Sequence, residues 1–204
     1  MTKYGILKDS TNTGADNELH YVFSTPLSVI SNQPAYVQDS LNLKRSASSQ
    51  NVQRWEITAN IAQDSTPATF MVHSVYYGHH TSFLLRMPQP MGIKLTNNVG
   101  LTTKSGVTYH AGLDSFAVEQ QVPFAVGEFI SFSTDPKVYV VTSSGPLGTS
   151  IYPRLRKDLL NATIFCGTRV TMRARYNTDV RLGIVYVDGI VNDQGSVTCI
   201  EALE

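Results

Sequence analysis

The chain has 204 residues, enough for one large domain or two small ones, and long enough to need no disulfide or metal staple. Charged residues make up 16%, and Lys+Arg and Asp+Glu balance at 16 each. That excludes the basic excess on which non-specific nucleic-acid binding or a polybasic membrane anchor depends. The surface must instead be kept wet by 59 Thr, Ser, Asn and Gln residues, and a net charge of zero favours association.

From the N-terminus, Met1–Asp9 holds no apolar run, so no signal peptide is expected. Val, Ile and Thr number 51, a quarter of the chain, which predicts mostly strand. The clearest strand is Trp55 to Ile61, with Trp55, Ile57, Ala59 and Ile61 on one face and Glu56, Thr58 and Asn60 on the other. A helix is predicted over 67–77, with Thr66 as N-cap, Pro67 in the first turn, and Phe70, Val72, Val75 and Tyr76 as its apolar positions. The uncharged run 65–85 contains Pro67, His73, Gly78, His79 and His80, so no membrane span is expected there.

Pro88-Gln89-Pro90 forbids a continuous ladder or helix and marks a boundary. Beyond it the pattern predicts strands near 93–99, 113–119, 128–133 and 137–142, then a helix near 153–160 with Leu155, Leu159 and Leu160 buried, then a strand at 169–175. Val138 to Val141 is apolar on both faces and reads as a central strand. Val180 to Val191, a turn at Asn192–Gly195 and Ser196 to Leu203 read as a long terminal hairpin. Such a hairpin is marginal alone and should pair with strands of the first segment. The expected fold is mainly β: a β-sandwich-like main domain with one short helix, from residues 1–87 and 176–204, and an inserted OB-like five-stranded barrel with one helix at 88–175.

No phosphate-cradling glycine loop and no nucleophile elbow occurs in the sequence. His73, His79 and His80 lack the spacing and the further ligands of a metal site, so no metal and no cofactor is expected. Cys166 sits in an apolar strand-like stretch and reads as a buried thiol; with Cys199 it is expected free. Asp114, Glu119 and Glu128 are the only candidate carboxylates for glycoside cleavage, and they read as solvated strand-end acids. Tyr76, Tyr77, Tyr109, Tyr139 and Tyr152 offer a sugar-stacking platform or core aromatics. Arg169, Arg173, Arg175 and Arg181 form the one basic group. With neutral net charge, subunit contact explains it at least as well as nucleic acid does, and Arg54, Arg173, Arg175 and Arg181 are the candidate contact residues. No catalytic residue is expected.

Two segments together carry a resemblance. The first holds Ser24-Thr-Pro26, Asn32-Gln-Pro34, Ser40-Leu41, Lys44-Arg45 and Gln53-Arg-Trp-Glu-Ile57; the second holds Val126-Gly-Glu-Phe-Ile130, Lys137-Val-Tyr139 and Ile151-Tyr-Pro-Arg-Leu-Arg156. In this order they resemble the distal tail protein family of long-tailed, non-contractile bacteriophages. The resemblance implies a structural virion protein of the tail tip, assembled in the host bacterial cytoplasm. It further implies a homo-oligomeric ring of six copies that joins the tail tube protein to the central hub protein, with other tail-tip or fibre proteins as further partners. It supplies no catalytic residue, and neither nucleic-acid sequence recognition nor membrane insertion follows from it. The competing expectation is a carbohydrate-binding adhesin for the host surface, resting on the tyrosines and the expected barrel.

Overall fold

The computed structural model describes residues 3–7, 18–39, 45–49, 53–61, 82–89, 100–120, 122–145, 148–177, 185–187, 190–193 and 196–203. The expected helix over 67–77, the strand at 93–99, the residues His73, Tyr76, Tyr77, His79 and His80, and Arg181 lie outside them.

The first strands are β1 (Lys3–Leu7), β2 (Glu18–Asn32), β3 (Ala35–Asp39), β4 (Arg45–Ser49), β5 (Arg54–Ile61) and β6 (Phe83–Arg86). The middle of the chain gives β7 (Thr108–Tyr109), β8 (Ser115–Phe116), β9 (Phe129–Phe132), β10 (Asp135–Gly145), β11 (Gly148–Tyr152), β12 (Leu159–Leu160) and β13 (Ile164–Cys166). A 3-10 turn at Gly167–Arg169 leads into β14 (Thr171–Tyr176), followed by β15 (Val185–Val187), β16 (Ile190–Asp193) and β17 (Ser196–Glu201). The mainly β, sandwich-like expectation holds.

The main sheet is antiparallel in the order β1-β2-β5-β17-β14-β6, and its two outer strands also meet, with Ile6 opposite Leu85 and Leu7 opposite Leu84. Both edges of the layered sheet are thereby joined, which removes unpaired edges from these six strands. The alternation in β5 works as read: Trp55, Ile57 and Ala59 are buried, and Glu56, Thr58 and Asn60 face outward. Beside them Met172, Ala174, Tyr176, Val197 and Cys199 fill the same core. In β2 the register slips between Ser24 and Leu27. Pro26, which has no N–H to give a ladder, lies within that bulge.

The inserted sheet runs β13-β9-β10-β11-β8, with β10 in its interior as expected. One face packs on a second core of Phe116, Ile130, Phe132, Tyr139, Val141, Ile151 and Ile164. The segment at 101–104 links the sheet's two ends. Ile164 donates its N–H to the Leu101 carbonyl and Thr103 to that of Ala162; on the other side Lys104 donates to Ala117 and Glu119 to Thr102.

Three expectations are corrected. Residues 153–160 form no helix: Leu155 donates to the Leu113 carbonyl, Gly112 donates to Leu155, and Leu159-Leu160 pair with Tyr109-Thr108. Donors and acceptors offered across the fold replaced the bonds a helix would make along the chain, so only Leu155 and Leu159 are buried and Leu160 is exposed. The strand assigned to the end of the insert, β14, belongs to the main sheet, paired with β6 and β17. Its alternating residues Val170, Met172 and Ala174 do face a core, but alternation does not say which core. The long terminal hairpin is likewise redistributed. Here β16 turns back onto β15, with Val187 opposite Ile190, while β17 pairs with β14 and with β5 of the first segment.

The chain therefore leaves the main sheet after Arg86 and re-enters at Thr171, two directly paired positions, with Met87 donating its N–H to the Val170 carbonyl.

Candidate functional site: a buried charged joint and an outward sheet face

The inserted sheet meets the main sheet through a cluster of charges. In β17 the inward positions are Val197, Cys199 and Glu201, so the alternation that buries two apolar residues also buries a carboxylate. Glu201 Oε1 accepts the Val138 N–H at 2.9 Å, and Oε2 accepts the Trp55 N–H at 3.1 Å and a proton from Lys137 Nζ. Lys137 Nζ also donates to Gln53 Oε1 at 2.6 Å. Trp55 donates its indole N–H to the Val138 carbonyl at 2.8 Å, and its ring meets Phe129 edge-on at 5.3 Å between centroids.

A second carboxylate sits beside the first. Asp135 Oδ1 accepts from the Lys137 backbone N–H and from Arg156 Nε and Nη2, and Oδ2 accepts the Tyr139 hydroxyl at 2.7 Å. Arg156 Nη1 reaches the Leu203 carbonyl at 3.1 Å. Two cations and two anions thus balance. Glu201 and Asp135 are fully buried and Lys137 is 2% exposed, so water and substrate do not reach the carboxylates. A carboxylate with every oxygen engaged and no open side holds structure; it does not take up a proton from a reacting group.

Gln89 clips the joint on the crossing side. Its Oε1 accepts the Phe129 N–H at 3.1 Å, and its Nε2 donates to the Gly167 carbonyl at 2.8 Å.

The candidate acids do not come together. Glu128 is fully buried and accepts the backbone N–H groups of Ala125 and Gly167; Glu119 is exposed and accepts from Ser105 N; Asp114 is exposed. His110 pairs with Asp158 at an exposed tip, where the Ala111 N–H first, and His110 second, hold the Asp158 carboxyl below its ordinary range. Cys166 and Cys199 are in no disulfide and are buried in different cores. Among the described residues no His, Cys, Asp and Glu group could hold a metal ion, and no helix is long and apolar enough to cross a membrane. Of the candidate tyrosines, the three whose side chains are described form no shared platform: Tyr139 is buried, Tyr109 is half-buried with its hydroxyl bonded to Ala117, and Tyr152 is exposed.

The described candidate contact residues, Arg54, Arg173 and Arg175, lie on the outward face of the main sheet. Arg54 is exposed opposite Asn32, and Arg173 and Arg175 are half-exposed on β14. Register places Ile30, Glu56, Ile200 and Arg175 in one row across β2, β5, β17 and β14. Ile30 is 48% exposed, and the next row carries Ser28, Thr58 and Thr198.

Sequence reasoning missed Lys137, Glu201, Asp135 and Gln53. The signal for Glu201 was its in-phase position with Val197 and Cys199. Lys137 carried a weaker one, standing directly against the doubly apolar run 138–141.

Burial pushes the Tyr139 and Tyr176 hydroxyls and the Cys199 thiol above their ordinary values, with Asp135 adding to the effect on Tyr139. These groups keep their protons when folded and release them when unfolded. Their contribution is complete below about pH 8.5, starts to fall as the unfolded chain ionises between about pH 8.5 and 10, and goes on falling until the folded groups ionise at higher pH still. Lys137 has the opposite sign, because burial lowers its affinity for a proton against the pull of Glu201. Three groups against one predict a lower urea midpoint at about pH 10.5 than at about pH 8. A higher midpoint contradicts the assignment.

In comparison with known proteins, no family model and no curated protein sequence matches this chain.

Proposed function

We propose that the chain is a structural component of a long non-contractile phage tail, forming a six-membered ring at the tail tip that joins the tube to the hub. The residues at 24–57 and 126–156 that resemble the distal tail protein family motivate the reading, and one structural observation supports it best. The hairpins β3–β4 and β15–β16 each pair only with themselves among the described strands. A two-stranded ribbon is marginal in water and gains stability by lying on another surface. The joined edges of the main sheet leave its outer face and these ribbons as the places a neighbour can grip. Such a contact pairs two different patches, and repetition by rotation closes it into a ring.

The charged groups at the joint are spent on internal pairs, which supports a role in holding shape over one in transforming a substrate. The adhesin reading gains nothing from Tyr109, Tyr139 and Tyr152, which do not converge on one surface. Mass photometry across a dilution series tests the proposal: monomer at low concentration should give way to one closed higher species. A dimer that persists at every concentration overturns it.

A further inference from the structure

We propose that the buried Lys137–Glu201 pair is an orientation latch, which fixes the angle of the inserted sheet on the main sheet while apolar packing holds the two together. The inference is independent of what the protein assembles with.

The geometry has three parts. The core built around Ile57, Met172 and Tyr176 also takes in Phe129 and Val138 of the insert, and a second core around Ile130, Tyr139 and Ile164 lies within the insert itself. The chain crosses between them at one place, where Met87 and Val170 run side by side after β6 and before β14. Two adjacent crossings act as a hinge line, and the packing of Phe129 and Val138 on the main core is apolar, so it holds the units together without setting a direction. The latch lies away from that line. Glu201 ends β17 and binds the Trp55 N–H of β5, on the far side of β14 from β6. With strands about 4.8 Å apart, this places a second attachment roughly 10 Å from the crossing, where it opposes rotation.

The chemistry suits orientation better than stability. A buried ion pair gives little net stability relative to apolar residues of the same size, yet its hydrogen bonds are directional and admit one arrangement. Here the directions are set on both sides: Glu201 takes backbone N–H groups from Trp55 in the main sheet and Val138 in the insert, and Lys137 Nζ reaches back from the insert to Gln53. A slide of the insert by one residue would break all of them together.

The test uses spin labels at Ser28→Cys on β2 and Ser143→Cys on β10, both exposed positions, in the full chain; the native thiols are buried. The unaltered joint should give a single narrow distance distribution. In Lys137→Met/Glu201→Gln, where the Gln oxygen keeps a backbone acceptor and no charge is stranded, the distribution should broaden at least twofold while circular dichroism still reports a cooperative, folded chain. Gln53→Leu, a milder change, should broaden it less and carries the test if the double variant fails to fold. A distribution as narrow in the folded variants as in the unaltered joint overturns the proposal, as does one already broad before any change at the joint.

Discussion

Glu201→Ala should cost about 3–5 kcal/mol of unfolding free energy, the range found when one member of a buried ion pair is removed. The loss has named parts. The Lys137 ammonium would be stranded where burial already disfavours its charge. The backbone N–H groups of Trp55 and Val138 would lose their acceptor in a dry site. Against a total stability of about 5–15 kcal/mol for a protein domain, this is a large fraction. Glu201→Gln should cost less, because the amide oxygen still accepts one of those protons. Urea unfolding followed by the fluorescence of the single tryptophan measures both. A Glu201→Ala loss under about 1 kcal/mol, the range of an exposed pair, would mean that the joint is not buried as described.

Trp55→Ala should be comparably severe, about 3–5 kcal/mol, for a different reason. Trp55 is 7% exposed and fills the space between the main core and Phe129 of the insert, so its removal opens a cavity at the joint. Trp55→Phe restores most of the packing but leaves the Val138 carbonyl without the indole proton, a penalty of about 1–3 kcal/mol. The order Ala worse than Phe separates packing from hydrogen bonding. Circular dichroism must carry this measurement, since the fluorophore is gone. Equal losses for the two variants would assign the effect to the hydrogen bond alone.

What the sequence made legible followed from local alternation. The face of β5 with Trp55, Ile57 and Ala59, the interior place of β10 and the inward residues of β14 could all be read from period two, because pleating alone decides them. What it hid depended on partners distant in the chain. Leu155 and Leu159 have helical spacing, but the carbonyl of Leu113 and the backbone of Tyr109 decide their conformation. The strand β14 looked like the end of the insert because nothing in Thr171–Tyr176 records that β6, some eighty-five residues earlier, is its neighbour. The buried joint was the least visible part. Glu201, Lys137, Asp135 and Gln53 come from three separate stretches and carry charge or amide groups that local rules assign to the surface. Only their convergence on Trp55 and Val138 makes burial tolerable.

The central claim, that this chain works by being held among copies of itself at a tail tip, is tested most directly by negative-stain micrographs of the concentrated protein. The account predicts closed rings whose class averages show six-fold symmetry. Open filaments, or isolated single particles at every concentration tried, would contradict it.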